Sequence, residues 1–239
     1  MAELSWLGVV RHGQSVGNVR AEEAERGGLE VIDLVERDAD VPLTGLGREQ
    51  AAAVGQWVRG LPAHEMPEFA VVSPYLRTRE TAMIALGGTG IAMRYDERLR
   101  DRELGELDLL TNRGVAARLP QEAARRQRLG KMYYRPPGGE SWSDVLLRLR
   151  SLMRDVRAEH PGGRVLLVGH EAIVMLVRYL VEGLDEETLM ALSRSTAMAN
   201  CSVSSWVNVG GVLRPELFND VGHLHTAATT TQEYVGADD

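Results

Sequence analysis

The sequence predicts an α/β fold, a three-layer sandwich with a mostly parallel central sheet and helices on both of its faces. Short apolar runs, which are typical of buried strands, alternate along the chain with segments whose apolar residues follow helical spacing. Such alternation favours parallel strands joined by crossover helices. The chain has 239 residues, 44% of them hydrophobic and 26% charged, which is typical of a globular protein.

The first half of the chain predicts two strands with a helix between them. Leu7–Val10 and Phe69–Ser73 are short apolar runs bounded by glycine, proline or polar residues. Between them, Thr44–Leu61 carries apolar residues at helical spacing, and Thr44 is a residue type that caps helix N-termini. The charged segment 19–39 separates the first strand from this helix, and we interpret it as an insertion.

The second half predicts a long helix, a strand and a buried helix in succession, at Ser141–Glu159, Arg164–Val168 and Ala172–Val181. A terminal hairpin is expected from Val203–Val209 and Val212–Phe218, which flank two glycines. The segment 110–137 is rich in arginine and broken by prolines, which indicates a second insertion, a helical lid. We expect one domain over residues 1–226 and a mobile tail at 227–239.

Composition excludes several classes of protein. The net charge of −7 argues against nonspecific binding to nucleic acid, which requires a basic surface. Cys201 is the only cysteine, so neither an intrachain disulfide nor a thiolate metal cage is expected. No apolar run approaches the ~20 residues that span a bilayer, and no secretory signal is evident. We therefore expect a cytoplasmic protein without a membrane or nucleic-acid partner.

Basic residues follow three of the predicted strands. Arg11 and His12 come directly after the first strand, Arg77 follows the second, and His170 follows a later one. Because parallel strands end at the same edge of a sheet, these side chains are expected to converge. Two arginines and two histidines around one point form a site for a dianion, most simply a phosphoryl group. The turn that opens the helix after His170 can add backbone N–H donors.

A histidine in such a pocket can act as a nucleophile. A neutral imidazole nitrogen can attack phosphorus and form a phosphohistidine, and flanking arginines favour the neutral ring. The leaving alkoxide then requires a proton from a nearby carboxylic acid. The segment Arg100–Gly105 contains two candidates, Asp101 and Glu103, which share a face if the segment is extended.

Taken in order, these motifs resemble those of the histidine phosphatase superfamily, the group that includes the cofactor-dependent phosphoglycerate mutases. The resemblance covers most of residues 6–224. It is carried by Arg11-His12-Gly13-Gln14-Ser15 with Asn18, Pro42-Leu43-Thr44 with Gly47, Ser73 through Arg77, the acid segment, Gly138-Gly139-Glu140-Ser141, and Gly169-His170. Several ordered motifs are much more specific than any one of them.

The resemblance implies roles for particular residues. It makes His12 the nucleophile, and Arg11, Arg77 and His170 the phosphate pocket, which Asn18 completes as a further hydrogen-bond partner. The family's proton donor is usually a Glu four residues before a Gly, and here that position is Asp101. Because Asp is shorter than Glu, Glu103 remains the alternative donor.

The resemblance implies a phosphomonoester hydrolase that acts through phospho-His12 on a small phosphate ester and requires no metal or cofactor. One alternative is a mutase that returns the phosphoryl group to a second hydroxyl of a bound phosphoglycerate. Another is a protein that binds phosphorylated ligands without turnover. Dimers occur in this superfamily, so a homodimer is compatible with the sequence.

Overall fold

The computed structural model describes residues 3–224 and 230–231. Within these residues, a single sheet contains six strands, which are β1 (Trp6–Arg11), β2 (Phe69–Val72), β3 (Ala92–Tyr95), β4 (Arg164–Gly169), β5 (Val203–Val209) and β6 (Val212–Asp220). The strand order is β3-β2-β4-β1-β5-β6. β1, β2, β3 and β4 are parallel, whereas β5 and β6 add an antiparallel hairpin beside β1. The mostly parallel sheet that the sequence predicts is confirmed.

The described part of the chain contains eight α-helices, which are α1 (Val16–Arg26), α2 (Gly45–Gly60), α3 (Leu76–Leu86), α4 (Asn112–Arg118), α5 (Pro120–Tyr133), α6 (Trp142–Glu159), α7 (Glu171–Glu182) and α8 (Glu186–Ser195). Alternate strand residues face two separate cores. Leu7 and Val9 of β1 pack in one core with α6, α7 and α8. Trp6 and Val10 pack in the other with α2 and α3. The three-layer sandwich is therefore confirmed.

Three elements, β3, α3 and α8, were not predicted, and α1 lies partly inside the predicted insertion at 19–39. β3 is an edge strand whose Ala92 and Tyr95 are exposed, so it lacks the apolar run of a buried strand. α8 buries only Leu189 and Ser193, so its sequence shows only a weak pattern of apolar residues at helical spacing. α1 begins at Val16 because Ser15 and Asn18 form a capping box, and it extends into 19–39. Most of the expected mobile tail lies outside the described residues.

Two glycines bring the loop after β1 against the start of α2. A Cβ at Gly47 would lie 2.0 Å from the carbonyl oxygen of Gln14, and a Cβ at Gly13 would lie 2.4 Å from the carbonyl oxygen of Gly47. No side chain larger than hydrogen fits either position without movement of the backbone. This contact explains why Gly47 accompanies the motif at Arg11–Ser15, and it sets the position of the loop that carries His12.

Candidate active site

The carboxyl ends of β1, β2 and β4 border a cavity of about 380 Å³. His12, Arg77 and Asp101 line it, while Arg11 and His170 are fully buried beside it. Two segments outside the sheet, 32–41 and 101–110, contribute most of the remaining wall. The convergence of basic side chains at one sheet edge, which the strand pattern predicts, is therefore present.

His12 presents one ring nitrogen to the cavity. Its Nδ1 lies 2.7 Å from the carbonyl oxygen of Gly13, an arrangement in which Nδ1–H donates. The lone pair then resides on Nε2, for which the described residues provide no hydrogen-bond partner. The backbone is held as well, because the amide of His12 donates to the carbonyl of Gly169 at 2.9 Å. The imidazole is thus fixed in one tautomer with a bare nitrogen facing the cavity.

The imidazole of His12 is neutral at physiological pH. Burial is the largest cause that lowers its pKa well below the ordinary value, followed by the charges of Arg77 and Arg11. The sequence predicts a neutral ring on account of the flanking arginines alone. The structure confirms the direction and adds burial, with the side chain only 3% exposed, as the larger cause.

Arg77, in the first turn of α3, is held by two carboxylates. Its Nη1 lies 2.8 Å from Oδ1 of Asp38, and its Nη2 lies 3.1 Å from Oδ2 of Asp101. The Asp38 carbonyl also accepts from Nη1 at 2.7 Å. Asp38 was not predicted as a site residue, because it lies in the charged segment 19–39, which carries no periodic pattern.

Asp101 also contacts His170. Its Oδ2 lies 3.2 Å from Nδ1 of His170, whose Nε2 lies 2.8 Å from the hydroxyl of Ser73. Burial by itself would raise the pKa of Asp101, but His170 and Arg77 hold it well below its usual range. Burial lowers the pKa of His170, although Asp101 opposes this. Asp101 is therefore ionised. Its carboxylate contacts Arg77 and His170, which are the groups that an incoming anion would contact.

Arg11 lies under the cavity and does not line it. Its guanidinium donates to the carbonyl of Met198 and lies 3.8 Å from the carboxylate of Glu171. Its charge nevertheless lowers the pKa of His12. Arg11 therefore acts on the cavity through its electric field in this state of the protein.

Asn18 lines the cavity at the start of α1. Its Oδ1 accepts hydrogen bonds from the backbone amide of Ser15 at 3.0 Å and from Nδ2 of Asn200 at 3.3 Å. These bonds orient the carboxamide. Among the described residues, no acceptor lies within hydrogen-bonding distance of the Asn18 Nδ2 group, which is the donor that an anion could use.

Glu103, the alternative acid, lies at the mouth of the cavity. Its Oε1 accepts a hydrogen bond of 3.0 Å from the hydroxyl of Tyr75, and its side chain is half exposed. The Tyr75 ring lies edge-on to His170 and contacts the guanidinium of Arg77. Burial, followed by the charge of Glu103, raises the pKa of the Tyr75 hydroxyl, which stays a donor.

A second group that sequence reasoning missed holds the His12 loop from behind. Nδ2 of Asn200 donates to the carbonyl of His12 at 3.2 Å, and Oε1 of Gln50 accepts from the amide of Gln14 at 2.8 Å. Both side chains also bond to the hydroxyl of Thr231, at 3.0 and 2.8 Å. Nothing in the sequence relates Thr231 to this loop, because its partners Asn200 and Gln50 are 31 and 181 residues away along the chain.

The residues that the structure describes contain neither a candidate metal cluster nor a membrane-spanning helix. In 3–224 and 230–231, no three histidine, cysteine or acidic side chains are grouped so as to hold a metal ion. Within the same residues, no helix has both the length and the apolar character needed to cross a bilayer.

Curated relatives match nearly the whole chain. A protein of Salmonella paratyphi C described as a probable phosphoglycerate mutase GpmB is 29% identical over 229 residues, which covers 92% of this chain and 95% of that protein. A protein of Salmonella typhi with the same description matches equally well.

Solved structures share the fold. A mycobacterial glucosyl-3-phosphoglycerate phosphatase in complex with VO3 is 27% identical, with a TM-score of 0.72, and the match covers 91% of this chain and all of that chain. YhfR of Bacillus stearothermophilus is 25% identical, with a TM-score of 0.73, over 91% of this chain and 98% of that chain.

The family is identified by a match over most of the sequence. Residues 7–221 match the histidine phosphatase superfamily (branch 1), and this range includes every side chain placed at the cavity above. The named relatives are phosphatases or mutases, which act by phosphoryl transfer. The chain belongs to the histidine phosphatase superfamily.

Proposed function

We propose that the protein is a phosphomonoester hydrolase in which Nε2 of His12 carries the phosphoryl group between two half-reactions. The observation that carries this proposal is the neutral, tautomerically fixed imidazole, whose unpartnered nitrogen faces a cavity that Arg77 also lines. A neutral imidazole beside a cation can attack a phosphate ester once that ester is held in line.

When a substrate binds, its phosphate replaces the carboxylates that contact Arg77. The phosphate dianion takes Arg77 from the carboxylates of Asp101 and Asp38, and it is further stabilised by the charge of Arg11 and by Nδ2 of Asn18. A dianion beside Asp101 raises the pKa of that carboxyl, because like charges disfavour ionisation. Asp101 thereby gains the proton that a general acid needs.

In the first half-reaction, Nε2 of His12 forms a bond to phosphorus while the bond from phosphorus to the ester oxygen breaks. The leaving oxygen takes the proton of Asp101, and the alcohol departs. In the second half-reaction, the Asp101 carboxylate accepts a proton from water as the water oxygen attacks phosphorus. The bond to Nε2 breaks, and inorganic phosphate leaves.

Asp101 is the proposed donor in preference to Glu103. Its Oδ2 lies beside the same two groups, Arg77 and His170, that we propose for the phosphate pocket. Glu103 lies further out, where the hydroxyl of Tyr75 holds it. The segment that carries Asp101 is held in place by a close backbone contact. A Cβ at Gly105 would lie 2.1 Å from the carbonyl oxygen of Pro137, so this segment packs tightly against residues 137–139.

The experiment is hydrolysis of p-nitrophenyl phosphate, with acid-labile phosphoenzyme trapped by rapid quench from radiolabelled substrate. We expect His12→Ala to abolish both turnover and labelling. His64→Ala is the matched control, because His64 is 81% exposed and lies outside the cavity. Comparable turnover by His12→Ala would disprove the mechanism. Binding of phosphate without turnover of any ester by the natural protein would favour a non-catalytic binding protein.

A mutase is the second candidate, because the Salmonella relatives are described as probable phosphoglycerate mutases. It shares the first half-reaction and differs only in the acceptor. The protein is incubated with 3-phosphoglycerate and a bisphosphoglycerate primer. Isomerisation without release of inorganic phosphate would replace the hydrolase by the mutase.

We also propose that the substrate is a small molecule and that residues 1–226 form the catalytic domain, with insertions at 19–39 and 110–137. We propose a cytoplasmic location, and the net charge of −7 argues against a nucleic-acid partner. A homodimer is compatible with the sequence, and sedimentation analysis of the purified chain would determine whether it forms.

A further inference from the structure

Beyond the phosphate pocket, the cavity continues between an apolar wall and a group of carboxylates. The apolar wall consists of Ile32, Leu34, Leu109 and Leu110. The carboxylates, which we call the acidic rim, belong to Asp38, Glu103 and Asp108. The part of a substrate that carries no phosphate must pass between these two surfaces.

The apolar wall is held by contacts between distant parts of the chain. The amide of Ile32 donates to the carbonyl of Leu109 at 2.9 Å, and Val31 forms an antiparallel bridge with Leu110. Leu109 has a φ of 59°, which a leucine seldom adopts. The tertiary structure therefore fixes these apolar side chains along the cavity, where they can contact a hydrocarbon group.

Protein cations neutralise the acidic rim only in part. No cationic side chain in the described part of the chain lies within ion-pairing distance of Asp108. Burial raises the pKa of Asp108, and the charges of Asp38 and Glu103 raise it further, so the three carboxylates repel one another. The cation nearest to Glu103 is Arg100, whose Nε lies 4.0 Å from Oε1 of Glu103. Asp38 pairs with Arg77, which is also the residue that we propose to bind the substrate phosphate.

The other two cations that line the cavity are engaged by the protein. Arg102 donates from Nε to the carbonyl of Glu140 at 2.7 Å. Nζ of Lys131 donates to the hydroxyl of Ser193 at 3.1 Å and lies 4.8 Å from the centre of the Trp142 ring. A second anionic group on the substrate would meet the carboxylates of the acidic rim, while hydrogen bonds hold Arg102 at the carbonyl of Glu140 and Lys131 at the hydroxyl of Ser193.

We infer that this cavity selects phosphomonoesters whose alcohol part is apolar and carries no second anionic group. Among such esters, it favours one with a positive charge at the acidic rim over its neutral isostere. The inference rests on the proposed function, because it concerns the substrate of the same site. A carboxylate-bearing phosphoglycerate is, on this basis, a poor substrate.

The test compares three phosphate esters as competitors of p-nitrophenyl phosphate hydrolysis. They are phosphocholine, its neutral isostere 3,3-dimethylbutyl phosphate, and 3-phosphoglycerate. We expect the inhibition constant to rise in that order, by about threefold per step, because the charges are partly screened by water. Equal constants, or tightest binding of 3-phosphoglycerate, would overturn the inference. Absence of p-nitrophenyl phosphate hydrolysis would instead overturn the proposed function.

Charge variants of Asp108 test whether the acidic rim is the cause. The quantity measured is the inhibition constant of 3-phosphoglycerate divided by that of phosphocholine. We expect Asp108→Asn to lower this ratio about threefold and Asp108→Lys to lower it about tenfold. Glu187→Gln is the matched control, because Glu187 is an exposed acid on α8 outside the cavity. An unchanged ratio in Asp108→Lys would contradict the assignment.

Discussion

The residues that we call the floor are His12 and Arg77, which line the cavity, and His170, which is buried beside them. The floor differs from the acidic rim in how its residues are held. The floor residues follow the ends of parallel strands and are at most 5% exposed. Asp38 begins a short 3-10 helix, Glu103 and Asp108 lie in loops, and all three side chains reach water. The sheet therefore positions the groups that we propose to react, whereas the segments outside it determine which part of a substrate can bind in the rest of the cavity.

Asp101 and Arg77 link the two regions. Asp101 begins the segment that continues to Glu103 and Asp108, yet its carboxylate reaches the floor. Arg77 belongs to the floor but is paired with Asp38 of the acidic rim. If the division between chemistry and selectivity is correct, substitutions in the floor should reduce turnover or stability, and those in the acidic rim should change affinity.

The largest expected effect concerns Asp101, the proposed proton donor. Asp101→Asn keeps the shape but removes the proton, so kcat for alkyl phosphates should fall about 100- to 1000-fold. The loss should be much smaller for p-nitrophenyl phosphate, whose leaving group needs little protonation. Glu103→Gln is the comparison in the acidic rim, with an expected change below about threefold. A larger loss in Glu103→Gln would exchange the two roles.

A second prediction concerns the contact that positions the floor. Gly47→Ala places a methyl group 2.0 Å from the carbonyl oxygen of Gln14, so the His12 loop must move. We expect a loss of about 2–4 kcal/mol in the free energy of unfolding, measured in urea, together with reduced kcat. Gly45→Ala, two residues earlier in α2, has no atom within 4 Å of its new methyl and should change stability by less than about 1 kcal/mol.

Burial of neutral histidines in the floor predicts a pH dependence of stability. The pKa values of His12 and His170 are lowered in the folded protein, so the unfolded chain binds more protons below the ordinary value of about 6.5. The stabilisation is complete above about pH 6.5 and falls as the pH decreases, by up to about 1.4 kcal/mol per pH unit for each histidine.

Urea unfolding at about pH 7.5 and about pH 5.5 measures this slope. His12→Asn should reduce this slope by the contribution of one histidine. His64→Asn should leave it unchanged, because His64 is exposed. A slope that His12→Asn does not alter would mean that this imidazole is not kept neutral by the fold.

A smaller effect is expected where the acidic rim meets the floor. Asp38→Asn removes one of two carboxylates that compete with phosphate for Arg77, so inorganic phosphate should inhibit about three times more strongly. Asp40→Asn is the control, because Asp40 is an exposed acid that pairs with Arg37. Weaker inhibition of Asp38→Asn would show that Asp38 helps Arg77 to bind the anion.

The smallest expected effect concerns the support behind the His12 loop. Thr231→Val removes the hydroxyl that bonds Asn200 and Gln50, and kcat should fall about twofold with little change in KM. Thr230→Val, at the exposed neighbouring position, should have no effect. Equal kinetics in both variants would limit Thr231 to a structural role.

The sequence alone determined the sheet and the floor residues. Leu7–Val10, Phe69–Ser73 and Arg164–Val168 are buried on both faces, and a buried strand needs a continuous apolar run that can be recognised locally. Because His12, Arg77 and His170 follow these strands directly, parallel pairing alone brings them to one edge. The edge strand β3 and the helix α8 lack a comparable apolar face and were missed.

Only the tertiary structure decided the partners of those residues. Three contacts show this: the pairing of Asp38 with Arg77, the apolar wall formed by Ile32 and Leu109, and the contact of Thr231 with Asn200. Each joins residues distant in the sequence, and most of these residues lie outside the α-helices and strands. No periodicity encodes such contacts, because an exposed loop can place a side chain in many directions until packing selects one. The sequence thus predicted the histidine that we propose as the nucleophile, and the folded chain determined the charges and apolar surface around it.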